Sequence, residues 1–432
     1  MKYHIVTHGC QMNEHDSERI AFLLEQCGYQ QTDLKNEADF ILFNTCLVRE
    51  NAELKVFGQV GALKKWRNEK QGRILAVSGC MMQTGEARDI IRTKFPQVDI
   101  VFGTQNIAKL PMLIEQHRKT GERVFDISSY DDLELSYARE GHSFAYVNIM
   151  TGCNNFCSYC IVPYARGREE SRRAGDIVQE VESLAQQGIL EVMLLGQNVN
   201  SYGENPSDFP NLLRRIHEID GIQRIRFISS HPKDLSQELI DTIADCPKIE
   251  RHFHLPLQSG SNKVLYEMNR RYTRERYLDL VSRLRKAVPD IAISTDIIVG
   301  FPGETEQDHN DTLDLCKMVE FDTAFTFLYS PRPGTPAAKR RDFVEERVAG
   351  RRFQELLDTL YPIFLKKNQA EIGKTVQVLF ESVSKQDRSR LTGRDSKGKL
   401  IHVPAEAALI GRLSDVVITD ANSFALQGEL KK

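Results

Sequence analysis

The sequence predicts an α/β chain in three successive parts: a doubly wound parallel sheet over residues 1–118, a series of six βα-like units over 139–369, and a small OB-like β-barrel over 372–432. Three observations support this. Short apolar, β-branched runs alternate with helical patterns through the first 330 or so residues. From about residue 372 the pattern becomes short alternating strands between Gly, Asp and Ser turns. Ahead of the second part, the polar stretch Ser128-Ser129-Tyr130-Asp131-Asp132 reads as the start of a linker.

In the first part, Lys2–Thr7, Phe40–Asn44 and Ile74–Ser78 read as strands, with helical patterns at Ser17–Cys27 and Ala52–Lys65. Each strand is followed directly by a cysteine, at Gly9-Cys10, Thr45-Cys46 and Gly79-Cys80, with spacings of 36 and 34 residues. The carboxyl ends of strands in an open α/β sheet form its ligand crevice, so Cys10, Cys46 and Cys80 can converge on one metal centre. Three separately buried cysteines are the plainer alternative.

In the second part, the expected strands are Phe144–Met150, Glu191–Leu195, Arg224–Ile228, His252–Leu257, Ala292–Val299 and Ala324–Leu328. Helical segments at Asp176–Gln187, Leu235–Asp245, Arg274–Val288 and Glu306–Val319 separate them. Polar loops follow the strands: Gly196-Gln197-Asn198, Ser229-Ser230-His231-Pro232, Gln258-Ser259-Gly260-Ser261 and Gly300-Phe301-Pro302-Gly303-Glu304. In barrel folds the loops at that end carry the chemistry. After the first strand stands Cys153-Asn154-Asn155-Phe156-Cys157-Ser158-Tyr159-Cys160, a C-x₃-C-x₂-C run. Three thiolates this close can hold three irons of a [4Fe–4S] cube and leave the fourth iron open to a ligand. A structural zinc needs a fourth Cys or His, and the nearest histidines, His142 and His217, form no ligand pair.

In the third part, Thr375–Glu381, Lys399–Val403, Asp415–Thr419 and Phe424–Leu430 are the expected barrel strands. Lys385, Arg388, Arg390, Arg394, Lys397 and Lys399 cluster near Phe380. Residues 339–432 hold 18 of the 57 Lys/Arg but only 13 of the 60 Asp/Glu, a basic end on a chain of net charge −3. Barrels with basic loops commonly bind single-stranded or looped nucleic acid.

Composition narrows the class further. No apolar stretch approaches the ~18 residues of a membrane span, and Met1–Val6 enters a strand pattern without a signal-peptide profile. Nine cysteines in such a chain point to a reducing, cytoplasmic compartment and to metal use in place of disulfides. No nucleophile elbow or P-loop offers a competing chemistry.

The C-x₃-C-x₂-C spacing resembles the signature of the radical S-adenosylmethionine (SAM) superfamily, and nearly the whole chain resembles its methylthiotransferases. The resemblance rests on Thr7-His8-Gly9-Cys10-Gln11-Met12-Asn13-Glu14-His15-Asp16-Ser17-Glu18, on Asn44-Thr45-Cys46-Leu47-Val48-Arg49-Glu50, and on Tyr159-Cys160-Ile161-Val162-Pro163-Tyr164-Ala165-Arg166-Gly167-Arg168-Glu169. Gln11-Met12-Asn13 points to the branch acting on tRNA that carries isopentenyladenosine; Met150-Thr151 departs from the family pattern. The resemblance implies a partial (β/α)₆ radical SAM barrel, a C-terminal TRAM domain and two [4Fe–4S] clusters, held by Cys10, Cys46 and Cys80 and by Cys153, Cys157 and Cys160. One SAM methylates sulfur at the first cluster. A second is cleaved at the other, and the resulting radical opens C2 of the modified adenine next to the anticodon to the methylthio group. Phe156, Tyr159, Gln197, Ser229, Gln258, Arg271 and Asp296 are then candidate contacts to SAM or substrate, or ordinary loop and packing residues. Arg166, Arg168, Arg172 and Arg173 meet tRNA phosphates or form a solvated face. The expected partners are the tRNA anticodon stem-loop, SAM and an electron donor, with the protein a monomer and no membrane involved. Three other readings stay open: threonylcarbamoyladenosine tRNA or a ribosomal protein as substrate, and a non-catalytic iron–sulfur RNA-binding protein.

Overall fold

The computed structural model describes residues 1–47, 50–127 and 143–431. Val48, Arg49 and the expected linker at Ser128–Asp132 lie outside the described residues. The chain divides into two compact units. One comprises Met1–Ala138 with Thr151–Asn154 and Ile161–Glu169; the other comprises Arg139–Met150, Asn155–Cys160 and Glu170–Lys432.

The first unit is built on six strands: β1 (Lys2–Thr7), β2 (Gln30–Gln31), β3 (Phe40–Thr45), β4 (Ile74–Gly79), β5 (Ile100–Phe102) and β6 (Val124–Asp126). They form one parallel sheet in the order β2-β1-β3-β4-β5-β6. Its helices are α1 (Gln11–Gln26), α2 (Glu50–Ala62), α3 (Lys64–Glu69), α4 (Gly85–Lys94) and α5 (Leu110–Thr120). Side chains alternate across a strand, so β3 feeds two cores. Phe40 and Leu42 pack with Ile20, Leu24 and Leu113 of α1 and α5, whereas Ile41 and Phe43 pack with Val56, Val60, Trp66 and Ile91 of α2, α3 and α4. A sheet covered on both faces is the expected doubly wound form. The chain runs outward from β1 to β2 and returns to β3 on the other side of β1. The strand order therefore reverses between β1 and β3, where such sheets open a crevice.

Two expectations need correction here. The sheet extends past residue 118, because β6 adds a sixth strand at Val124–Asp126. Helix α1 starts at Gln11 and not at Ser17. Its first turns bury Asn13, His15, Asp16, Ser17 and Arg19, so a reading by apolar periodicity passes over them.

Along the chain, β7 (Phe144–Asn148) is followed by two-residue strands β8 (Met150–Thr151) and β9 (Glu170–Ser171); the second unit then continues with β10 (Glu191–Leu195), β11 (Arg224–Phe227), β12 (His252–His254), β13 (Ala292–Val299) and β14 (Thr323–Leu328). β7, β10 and β11 pair in parallel, as do β12, β13 and β14, and an Ile225–Ile249 bridge joins the two sets. The result is six parallel strands in chain order, with β14 at one edge. Helix α6 (Val162–Arg166) belongs to the first unit. In the second, α7 (Ala174–Gln186), α8 (Asp208–His217), α9 (Gln237–Asp245), α11 (Arg274–Ala287) and α12 (Glu306–Val319) alternate with the strands, with the short α10 (Asn262–Glu267) ahead of α11. One strand face packs on these helices: Val192, Ile225, Phe253 and Ile293 share a core with Ile177, Leu212, Ile240 and Leu280.

The 24-residue helix α13 (Glu346–Gln369) leads into a closed five-stranded barrel. Its strands are β15 (Thr375–Val383), β16 (Arg390–Arg394), β17 (Leu400–Pro404), β18 (Leu413–Ala421) and β19 (Leu426–Leu430). β16 is the strand the sequence reading missed. It buries only Leu391 and Gly393, with three polar side chains alternating outward, so it resembles a basic loop. Phe380 has 0% exposure inside this barrel and cannot stack on a base. Four of the six clustered cations are engaged within the protein. Arg394 Nε lies 3.4 Å from Glu381 Oε1, Lys397 Nζ 3.0 Å from Glu371 Oε1, and Lys399 Nζ donates to Asn368 Oδ1 at 2.7 Å. Arg390 pairs with Asp387 at 3.3 Å and donates to Gln427. Lys385 and Arg388 are exposed.

The small barrel is bonded to the amino end of the larger one. Arg224 donates to the carbonyls of Gln377 at 2.6 Å and Arg394 at 3.0 Å, and Arg226 to that of Asp395 at 3.3 Å. Both arginines are buried against Glu191 and Glu250, with Arg226–Glu191 and Arg224–Glu250 each 3.2 Å apart. Removing one partner of a buried pair strands the others without water. Arg226→Ala should therefore cost about 3–5 kcal/mol. Denaturant unfolding checks this, and an unchanged midpoint would reject the docking role.

Candidate functional site: two cysteine sets beside buried arginines

Register brings the first cysteine set level. Thr7 pairs with Asn44, Asn44 with Ser78, and Thr45 with Gly79. Cys10 is the N-cap of α1, Cys46 directly follows β3, and Cys80 opens a 3₁₀ turn after β4. Two glycines allow the close approach. A side chain at Gly9 (φ 144°) would put its Cβ 2.9 Å from Cys46 Cβ, and one at Gly79 (φ 104°) would overlap the Thr45 carbonyl oxygen. A clasp of buried amides fixes the loops. Asn13 Nδ2 donates to Asn44 Oδ1 and to the Thr45 carbonyl, both at 3.1 Å, while Asn44 Nδ2 donates to the Asn13 carbonyl at 2.7 Å.

Arg166 of α6 completes this site. Its Nε donates to Cys80 Sγ at 3.1 Å, and its terminal nitrogen lies 3.2 Å from Asp16 Oδ2. Burial pushes the Cys80 thiol up to about 11, against the pull of this guanidinium. The expected phosphate role of Arg166 is corrected here, since its side chain is only 8% exposed. Arg172 likewise faces inward, donating to the Asn148 carbonyl at 2.6 Å and to Glu180 at 2.7 Å. Arg168 and Arg173 are exposed.

In the second set, Cys153 belongs to the first unit, where its N–H donates to the Gly167 carbonyl at 3.3 Å. Cys157 and Cys160 belong to the second unit, linked by a Cys160 N–H to Cys157 carbonyl bond of 3.0 Å. Arg270, 4% exposed, places Nη1 3.5 Å from Cys157 Sγ. It also donates to the Pro256 carbonyl at 3.0 Å and lies 5.3 Å over the Tyr272 ring. Asn269 Nδ2 donates to the carbonyls of Asn155 and Phe156 at 3.2 and 3.0 Å, and Lys233 Nζ to Asn155 Oδ1 at 2.8 Å.

Backbone strain gathers at the loops following the strands. Among the described residues six non-glycine residues have positive φ; Phe156 (47°), Ser229 (65°) and Gln258 (69°) lie there, and Asn269 (58°) and Arg271 (55°) between α10 and α11. Strain of about 1–3 kcal/mol each persists where surrounding structure enforces it, typically at ligand sites. Buried polar atoms without a protein partner occur in the same loops: Gln197 Oε1, Asn198 Oδ1, Ser230 Oγ and His231 Nε2. Burial and the Arg270, Lys233 and Arg271 cations hold His231 far below the usual imidazole range, so it is neutral. Such atoms suit a polar ligand.

The other expected contacts divide. Asp296 Oδ2 lies 3.5 Å from His254 Nε2, and the Asp296 carbonyl accepts the Gln258 N–H at 2.7 Å. Tyr159 packs on the cluster of Val264, Met268, Phe301 and Ala337, and Arg271 is exposed. His252 and His254 share Ser294 Oγ at 2.8 and 2.9 Å, as packing residues do. The sequence reading passed over Arg270, Asn269 and Lys233, and gave His231 only as part of the loop Ser229–Pro232. The basic doublet Arg270-Arg271 just ahead of α11 was the available signal.

Among the described residues, no group of three His, Cys, Asp or Glu side chains is set to hold a single metal ion. A cube spreads its thiolates over different irons, so they need not close on one point. All nine cysteines are outside disulfides. The donor chemistry at each site, thiols beside a buried guanidinium, fits an anionic iron–sulfur cluster.

Comparison with known proteins agrees with this picture. Residues 147–316 match the radical SAM superfamily model, residues 2–103 the model described as uncharacterized protein family UPF0004, and residues 369–431 the TRAM domain. The tRNA-2-methylthio-N(6)-dimethylallyladenosine synthase of Finegoldia magna is 54% identical over 99% of this chain and 94% of its own length. The protein of that name from Alkaliphilus oremlandii is 50% identical over 99% and 92%. Among solved structures, the radical SAM methyltransferase TsrM from Kitasatospora setae shares the fold, with a TM-score of 0.58 at 16% identity over 78% of this chain and 74% of that one.

Two four-iron clusters amount to about eight irons per chain. Gly79→Ala should displace Cys80 and lower the iron of the anaerobically reconstituted protein to about half of that. Full iron content in this variant would show that Gly79 does not position the ligand.

Proposed function

Since the chain belongs to the radical SAM methylthiotransferases, the family of the tRNA-2-methylthio-N(6)-dimethylallyladenosine synthases, we propose that it transfers a methylthio group to C2 of N6-dimethylallyladenosine next to the anticodon of tRNA. SAM serves as methyl donor and radical source, and the cofactors are two [4Fe–4S] clusters. The observation that carries this reading is the repeated pairing of a three-cysteine set with a buried arginine on one thiol, Arg166 on Cys80 and Arg270 on Cys157.

When bound, these cofactors supply what an aromatic C–H demands and side-chain acids and bases cannot give: a radical, and sulfur to replace the hydrogen. The protein holds and shields them. Cys10, Cys46 and Cys80 would ligate the auxiliary cluster, and Cys153, Cys157 and Cys160 the SAM-binding one. The guanidinium on each site offsets the negative charge of thiolates in a low-dielectric setting. Gln197, Ser229, Gln258 and the orphaned atoms of Ser230 and His231 would contact the polar groups of SAM. Phe156 would turn toward it through its strained backbone, with Asp296 and Arg271 flanking. Tyr159 would shield the cluster loop from its packed position.

The proposed division of labour follows the chain. The sheet over 1–118, extended here to Asp126, stores sulfur; the part over 139–369 cleaves SAM; the barrel over 372–432 holds RNA, with Lys385 and Arg388 facing phosphates. A monomer supplied by a separate cytoplasmic electron donor fits this scheme. No helix among the described residues is long and apolar enough to cross a membrane.

Nucleoside mass spectrometry tests the substrate. Anaerobic incubation with reconstituted protein, SAM, sulfide and reductant should add a methylthio mass to tRNA carrying dimethylallyladenosine, and none to tRNA carrying threonylcarbamoyladenosine. A gain only on the second would move the substrate. In a second experiment, replacing Cys10, Cys46 and Cys80 together by Ala should halve the iron and abolish methylthio transfer, with 5′-deoxyadenosine still formed. Loss of 5′-deoxyadenosine would contradict the assignment of the two sets.

A further inference from the structure

Strand β14 exposes aromatic side chains where its neighbours do not. Phe325 is 52% exposed and Phe327 36%. They alternate with Ala324, which packs against the core formed by the strands and outer helices. Register places them on the opposite, inner face of the strands. Phe325 pairs with Asp296 and Phe327 with Ile298, while Ser294 pairs with His254 one strand further on. The Phe325 ring lies 6.1 Å from that of His254, itself 3.5 Å from Asp296.

Two phenyl rings on an edge strand, 52% and 36% exposed, are an apolar surface left largely in water. The inner-face residues of β13 and β14 are Ala292, Ser294, Asp296, Ile298, Thr323, Phe325 and Phe327, with no Lys or Arg among them. The face is therefore unsuited to phosphate and suited to a neutral, flat or branched apolar group. It is continuous with the site already described, through Asp296 and its backbone bond to Gln258. The orphaned polar atoms that suit SAM sit after β10 and β11 instead, at Gln197, Ser230 and His231.

We propose that Phe325 and Phe327 form the wall that receives the substrate nucleobase and its N6-dimethylallyl group, and that they set the preference for an apolar substituent there. This rests on the function proposed above. Bases stack on aromatic rings, and the five-carbon group adds apolar area that a charged threonylcarbamoyl group would not match. A wall of this kind discriminates by contact with a few methylenes, which is worth one to two powers of ten.

The test uses two anticodon stem-loop oligoribonucleotides that differ only in carrying adenosine or N6-dimethylallyladenosine. Affinity for each is measured by fluorescence anisotropy with the reconstituted full-length protein, and methylthio product by mass spectrometry. The wild type should bind the dimethylallyl RNA about tenfold more tightly. In Phe325→Ser with Phe327→Ser, affinity for that RNA should fall until the two differ by no more than about twofold, with a smaller loss for the adenosine RNA from the lost base stacking. Phe325→Leu, which keeps an apolar side chain, should retain most of the preference. A preference unchanged in the double variant, or an equal loss for both RNAs, would overturn the wall while leaving the methylthio activity of the wild type standing. Absence of methylthio product from the wild type on the dimethylallyl RNA would overturn the proposed function itself.

Discussion

Parallel strands all end at the same edge of their sheet, and both units of this protein are organised by that constraint. In the first, β1, β3 and β4 end level, so Cys10, Cys46 and Cys80 occupy equivalent positions at the reversal of strand order. In the second, the loops after β10, β11 and β12 bring Gln197, Ser230, His231 and Gln258 to one end of the barrel. Neither arrangement requires a long-range signal beyond strand order. It follows from handed βα connections and from the burial of both sheet faces.

Charge is the second organising theme. A cluster ligated by thiolates is anionic, and burying an anion costs several kcal/mol unless a cation is near. Arg166 and Arg270 each place a cation beside a thiol of one cysteine set, with different geometry. Arg166 bridges Cys80 and Asp16, and Arg270 is fastened by the Pro256 carbonyl and the Tyr272 ring before it reaches Cys157. Both guanidiniums are thus held in place by protein groups.

The cysteine sets, the parallel α/β plan and the small barrel were legible because ligand spacing and strand period are local properties of the chain. What was not legible depends on burial of polar groups. The first turns of α1 bury Asn13, Asp16 and Ser17, so apolar periodicity began too late. Lys397 and Lys399 read as a solvent-facing basic cluster, yet their partners, Glu371 and Asn368, stand more than twenty residues away in sequence. Arg270 carries no spacing rule relative to Cys157 and becomes visible only in three dimensions. Strand β16 hides because arginines and a threonine alternate with its two small or apolar core positions.

The buried contacts of Arg224 and Arg226 give the C-terminal barrel a second identity. Their acceptors are backbone carbonyls of Gln377, Arg394 and Asp395, and their counter-ions are Glu191 and Glu250 of the larger barrel. A module attached in this way is fastened by buried ion pairs of the barrel that precedes it. It cannot be exchanged for an unrelated module without a matching loop, which ties the inheritance of the small barrel to that of the larger one.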